Sequence, residues 1–179
     1  MKKAFLASLG LGVTAALGAC AGHPAADPAT PGARARAELV DASGRVLARS
    51  LITQETGGLT VWVEAEDLAP GSYGAHVHAV GRCDPPGFES AGPHWNPTER
   101  QHGSQNPHGQ HLGDLPNLLV GTDGQGSLQF TIPGAVLSGG GRALIDGDGA
   151  ALVIHAGPDD YRSDPSGNSG ARIGCGVIG

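Results

Sequence analysis

Turn chemistry cuts this chain into short pieces and leaves no room for a long helix. Asp41-Ala42-Ser43-Gly44, Glu55-Thr56-Gly57-Gly58, Ala69-Pro70-Gly71 and Thr122-Asp123-Gly124 carry the residues that tight turns demand. Between them, apolar and polar residues alternate. Leu59, Val61, Val63 and Ala65 share one face of a strand, and Arg45 to Thr53 alternates in the same way. Ala35 to Val40, Ser72 to Val80, Asn117 to Gly121, Gly126 to Ile132, Ala150 to His155 and the final RIGCGVIG complete the set. Some eight short strands with no convincing helix predict an all-β domain. The expected architecture is an eight-stranded Greek-key antiparallel barrel or sandwich. Glycine and proline, 31 and 13, make up about a quarter of the 179 residues. They follow no strict period, so collagen is excluded, and the alternating runs favour a turn-rich β domain over disorder.

The amino terminus reads differently. Lys2 and Lys3 precede a short apolar run from Ala4 to Ala16, the pattern of a secretory leader, and the run is short for a membrane span. Leu17-Gly18-Ala19-Cys20 resembles the bacterial lipoprotein cleavage box. That resemblance implies a signal peptide over residues 1–19 and a lipidated Cys20, which anchors the protein to a membrane through acyl chains rather than a spanning helix. Ala21 after that cysteine is compatible with the outer membrane in a Gram-negative cell. Residues 20–33 then form a Pro/Ala-rich tether that includes His23, and the folded domain is expected over 34–179.

Export bears on charge and on cysteine. Cleavage removes Lys2 and Lys3, the chain's only lysines, and leaves nine arginines against 17 acidic residues, a formal −8. Nucleic acid is a poor partner for such a balance. With Cys20 lipidated, Cys83 and Cys175 are an even pair in an oxidising compartment, and a disulfide between them is the default expectation.

Residues 81–116 carry almost no strand pattern. An irregular segment of that length in a compact domain is usually functional or disordered. Residues 91–114 hold His94, His102, His108 and His111, half of the eight histidines, and end on Asp114. Three imidazoles and a carboxylate form a full tetrahedral set for zinc. His76-Val77-His78 lies within the fourth strand, so both rings project from one face as a bidentate pair. His155, ending AALVIH, can supply a third nitrogen. A second irregular stretch separates His155 from Arg172.

Taken together, GAHVHAVG (74–81), SAGPHWNP (90–97), QHG (101–103), HLGDLPNL (111–118), LVIHAGPDD (152–160) and GNSGARIGCGVIG (167–179) resemble the copper/zinc superoxide dismutases of the bacterial exported kind. The resemblance implies dismutation of superoxide to O2 and hydrogen peroxide. It assigns copper to His76, His78, His94 and His155, and zinc to His94, His102, His111 and Asp114, with His94 shared. Asp159 is implied as the carboxylate joining His76 to His102. Cys83 and Cys175 match the family disulfide, and Arg172 matches the arginine that guides the anion to copper. The two irregular stretches become a metal-binding loop and an electrostatic loop. The family includes monomers and dimers, so a homodimer is compatible with the chain.

The residue types suit that chemistry. Superoxide must give up one electron and then take one, which a Cu2+/Cu+ couple allows and Zn2+ does not, and imidazole suits both copper states. In the family's cycle His94 takes up and returns a proton, while zinc holds the loop. Arg172 focuses positive potential on the cleft of an acidic chain. His108 matches no family role. The electrostatic loop is shorter than in eukaryotic members and has no lysine; Arg162 is a candidate replacement for steering. CDPPGFES (83–90) is a local departure that bears on loop conformation or subunit contacts. A metal-buffering protein on the same fold is the competing class, and Arg172 and Asp159 argue against it. A copper-only dismutase is a third, and the intact zinc set argues against that.

Overall fold

The computed structural model describes residues 30–179, together with Met1. The residues read as a leader, Cys20 as the expected lipidation site, His23 and most of the expected tether lie outside the described residues. No helix among the described residues is long and apolar enough to cross a membrane.

Nine strands form one antiparallel sheet: β1 Arg34–Val40, β2 Val46–Glu55, β3 Gly58–Ala65, β4 Gly71–Tyr73, β5 Ala75–His78, β6 Leu118–Val120, β7 Gly126–Pro133, β8 Ala151–His155 and β9 Arg172–Val177. The only helical piece among them is a 3-10 turn, Glu89–Ala91. The ninth strand comes from a break. The sequence predicts one strand from Ser72 to Val80, but the chain divides at Gly74. β4 pairs with β6, whereas β5 pairs with β8. The sheet order is β4-β6-β7-β3-β2-β1-β9-β8-β5, so both edges belong to one continuous piece of chain and the sheet curls into a nearly closed barrel. A side chain at Gly74 would put its Cβ 2.9 Å from that of Ser169, so glycine is needed at the break.

Alternation fills the barrel as the sequence predicts. Leu59, Val61 and Val63 of β3 are fully buried, while Trp62 and Glu64 face out. Ala35, Ala37 and Leu39 do the same on β1. β8 breaks the rule: all its residues are buried, because the long loops cover its outer face. Phe88, Ala91 and Cys175 pack on Ala151 and Val153 there.

Three long connections join the strands. Residues 79–117 and 156–171 are the irregular stretches seen in the sequence. The third, 134–150, folds back through a Val136–Ala143 bridge and drives Leu137 and Leu144 into the core. Cys83 and Cys175 form a disulfide with Cα atoms 5.7 Å apart and 92 positions of sequence between them. It ties the first long loop to β9. In the chain-entropy picture a closed loop of this size contributes roughly 4–5 kcal/mol. Replacing both cysteines with serine is expected to lower the unfolding free energy by about 2–5 kcal/mol with the barrel's circular dichroism retained, as read from urea denaturation.

Candidate metal centre

Six histidines and two aspartates are buried at one end of the barrel, where the two irregular loops meet β5 and β8. His76 and His78 leave β5 with both rings fully buried. His155 ends β8, where the pairing register with β9 shifts between Ile154 and His155. Such shifts re-aim a side chain, here toward the β5 pair. His94 follows the 3-10 turn and bridges to His78, which brings the loop against β5.

The hydrogen bonds fix the tautomers. His78 Nδ1 donates to the carbonyl of Gly92 at 2.8 Å and His155 Nδ1 to that of Gly170 at 3.1 Å. His76 Nε2 donates to Asp159 Oδ2 at 2.8 Å, and His102 Nε2 to Asp159 Oδ1 at 3.0 Å. A neutral imidazole with one nitrogen donating keeps a lone pair on the other. The remaining nitrogens are buried and unpartnered: His76 Nδ1, His78 Nε2, His102 Nδ1 and His155 Nε2, with His94 Nε2 among them. Orphaned buried polar atoms are rare and need an account. A metal ion in their midst supplies it.

Two groups of four result. His76, His78, His94 and His155 offer four nitrogens; His94, His102, His111 and Asp114 offer three nitrogens and an oxygen; in each group the ligand atoms lie within 4.8 Å of one another. His94 belongs to both. Its Nδ1 stands 2.9 Å from Asp114 Oδ1 and 3.4 Å from His111 Nδ1, while its Nε2 turns to the all-nitrogen group. His102 Nδ1 is 3.1 Å from the same Oδ1 but lacks the alignment of a hydrogen bond. A tetrahedral zinc site with ligands 2.0–2.1 Å from the ion spaces them about 3.3 Å apart. The second group already has nearly that spacing. Asp114 Oδ2 is occupied elsewhere, accepting the backbone N–H groups of Gly103 and His111, both at 3.0 Å.

Asp159 joins the groups and is itself clamped. Asn117 accepts its N–H at 2.8 Å and donates to its carbonyl at 3.0 Å. Tyr161 accepts the Asn117 N–H through its hydroxyl at 2.9 Å. Gly167 lies so close that any Cβ there would collide with the Asp159 carboxylate and the His102 ring. Such supports fix ligand orientation. The sequence does not point to Asn117 or to the carbonyls of Gly92 and Gly170. The carbonyls carry no residue signature, and Asn117 sits unflagged inside HLGDLPNL.

Arg172 opens β9 opposite His155 in the ladder. It donates to the carbonyls of Phe88 at 2.7 Å and Gly92 at 2.8 Å. The CDPPGFES departure thus provides one of its anchors, from a buried Phe88 with a backbone φ of 58°. Arg172 lines a cleft of about 690 Å³ with His78, His94 and His155. Arg162 is not in this cleft; it is exposed and donates to Gln105 at 2.9 Å. His108 is also exposed and joins neither ligand group.

Burial sets the charge states. Desolvation, with neighbouring imidazoles, pushes His78 down to about 2 and His155 to about 3. Desolvation also lowers His94 to about 4, against the pull of Asp114. His102 is penalised by burial too, but Asp114 and Asp159 outweigh this and raise it to about 9. Asp114 and Asp159 are held well below the usual carboxylate range by the histidines facing them, although burial opposes this. Three neutral nitrogens therefore await a metal without a proton to displace.

The sequence profile of the copper/zinc superoxide dismutase (SODC) family matches residues 43–178. A superoxide dismutase [Cu-Zn] of Aquifex aeolicus is 42% identical over 147 residues, spanning 81% of this chain and 87% of that protein. The superoxide dismutase [Cu-Zn] of Caulobacter vibrioides is 42% identical over 130 residues, 71% of this chain and 75% of its own. The crystal structure of a SOD-like protein from Bacillus subtilis superposes with a TM-score of 0.75 at 42% identity, covering 79% of this chain and 96% of that one. This chain belongs to the copper/zinc superoxide dismutase family.

The shifts give the metal-free protein a stability optimum. His78, His94 and His155, lowered from 6.5 to between about 2 and 4, contribute stability that is full above pH 6.5 and fades as pH falls. His102, raised to about 9, contributes stability that is full below pH 6.5 and is lost as pH rises through 9. The melting temperature of the metal-free protein is expected to peak between these limits and to fall more steeply on the acid side. A flat profile between pH 5 and 8 would contradict these charge states.

Proposed function

We propose that this chain dismutes superoxide, with copper held by His76, His78, His94 and His155 and zinc by His94, His102, His111 and Asp114. The observation that carries the reading is His94, whose two ring nitrogens face two different ligand groups. Bound at the four-nitrogen group, copper supplies a one-electron couple that neither the protein nor zinc can offer. Each cycle converts two superoxide ions and two protons into O2 and hydrogen peroxide.

The chain's own groups do the rest. Arg172, half-buried beside His155, attracts the anion and holds it in the cleft. Burial weakens its hold on the proton and Glu89 opposes this, yet a guanidinium stays charged at any working pH. His94 would take up a proton at its buried, unpartnered Nε2 and give it to the peroxide, while its Nδ1 stays beside Asp114 and His111. Asp159, clamped by Asn117, keeps His76 and His102 from turning. Desolvation holds His78 and His155 neutral throughout. A metal-buffering role would need the ligands but not an arginine placed over the all-nitrogen group, which favours the enzyme.

We place the enzyme at the cell envelope. The leader over residues 1–19, Cys20 as a lipidation site and the tether of 20–33 support an anchored protein with its catalytic domain over 34–179. A membrane-bound periplasmic location follows, on the outer membrane in a Gram-negative cell, for a monomer or a homodimer. The Cys83–Cys175 disulfide supports export to an oxidising compartment.

Pulse radiolysis of residues 34–179, loaded with one copper and one zinc, should show catalytic superoxide decay that disappears on copper removal. His155→Ala is expected to abolish turnover, and undiminished activity would refute the four-histidine assignment. Arg172→Ala should slow capture about tenfold and flatten its dependence on ionic strength, because the focusing charge is gone.

A further inference from the structure

We propose that superoxide reaches the His94 cleft along a cationic track formed by Arg142, Arg100 and Arg172, entering from the side of the 139–141 glycine turn. The inference rests on the dismutase reading above and concerns how the anion approaches.

The active-site cleft has one arginine at its floor and carboxylates at its rim. Glu89 and Asp164 both border it, so Arg172 alone would leave the approach negative in an acidic chain. Arg100 also borders it. Arg100 is at the same time the wall of a second, adjoining cleft of about 660 Å³, which it shares with Arg142, Thr98 and Gln110. That second cleft has two arginines and no carboxylate in its lining. The path from Arg142 past Arg100 to Arg172 is therefore the positive way in, and the Glu89 and Asp164 side is the repelling one.

Arg100 is built into its place. Asn96, itself on the cleft, accepts the Arg100 N–H at 3.0 Å and donates to the Arg100 carbonyl at 2.8 Å. The intervening Glu99 adopts a φ of 51°, in the left-handed region that a non-glycine residue rarely enters. The turn thus fixes where Arg100 starts, while its side chain stays exposed. The ion pairs among the described residues engage Arg45, Arg49 and Arg82 but neither Arg100 nor Arg142. Neither charge is cancelled by a carboxylate among the described residues, and the Arg142 guanidinium rests beside Gly134. Arg162, the candidate from sequence, stands outside both clefts.

Exposed charges act over roughly a Debye length, about 10 Å at 0.1 M salt, so the track must be salt-sensitive. Arg100→Gln, Arg142→Gln and Arg162→Gln each remove one positive charge, and the last controls for net charge alone. Superoxide capture by the copper- and zinc-loaded proteins should be about twofold slower for the first two variants at low ionic strength. Both should rejoin the wild type as salt rises, with metal content and melting temperature unchanged, while Arg162→Gln tracks the wild type throughout. An independent readout uses zinc-loaded, copper-free protein: inorganic phosphate should perturb the guanidinium NMR signals of Arg100 and Arg142 more than those of Arg162. Equal rates for all three variants, or equal phosphate perturbation at all three arginines, would overturn the track. A salt-independent loss in Arg100→Gln with depleted zinc would reassign Arg100 to loop structure, and a normal Arg142→Gln beside it would end the proposal. Wild-type protein that fails to consume superoxide would defeat the dismutase reading instead.

Discussion

Burying six imidazoles and two carboxylates in one corner of an apolar barrel imposes a desolvation cost that something must offset. Hydrogen bonds offset part of it. Asp159, Asp114 and the carbonyls of Gly92 and Gly170 each satisfy one side of the ring they face. The inward nitrogens stay unsatisfied, and the two ligand groups are arranged around that deficit. Metal coordination therefore acts as the missing half of a polar core, and ligand orientation is set before any ion arrives.

The barrel serves this corner by making rigid what the loops alone could not. The break at Gly74 frees β5 to run along β8, so His76 and His78 stand across the ladder from the strand that ends on His155. The disulfide and the Arg172 contacts to Phe88 and Gly92 pin the first loop to β9. Asn117, Tyr161 and Asp159 pin it to the second. Gly92 has a double part: its carbonyl orients both the His78 ring and the Arg172 guanidinium. The His78 imidazole and the Arg172 guanidinium on the cleft thus share one backbone acceptor.

Charge placement follows a different logic. The chain is acidic, and two of the four exposed arginines on the barrel wall pair with neighbouring carboxylates: Arg45 with Asp41 and Asp67, Arg49 with Glu38 and Glu66. Such exposed pairs contribute little to stability. Near the cleft the pattern changes, with Arg172 turned to backbone carbonyls that leave its charge uncancelled. A few unpaired cations there can matter more than net charge.

Much of this was legible in the sequence because it depends on local pattern. Alternation in β1 and β3 marks their buried faces, since a strand's period of two survives any tertiary context. His76-x-His78, the histidines of 91–114 with Asp114, and His155 after an apolar run mark candidate ligands by residue type, and the family resemblance sorts them into two groups that the fold brings together without His108. Two of the nine strands lie within a single predicted run, and the other seven follow one to one from the same patterns. The split at Gly74 does not, because only pairing to opposite edges of the sheet makes a break there favourable. Nor does the presence of Arg100 and not Arg162 on the lining of the cleft, which depends on which side of a folded loop each side chain leaves. The carbonyls that orient His78 and His155 were invisible for a simpler reason: every residue has one, and only the fold decides which two face a ring. The sequence by itself determined the kind of atoms available for chemistry; tertiary structure decided which nitrogen of each ring faces inward, because that depends on a partner distant in the chain.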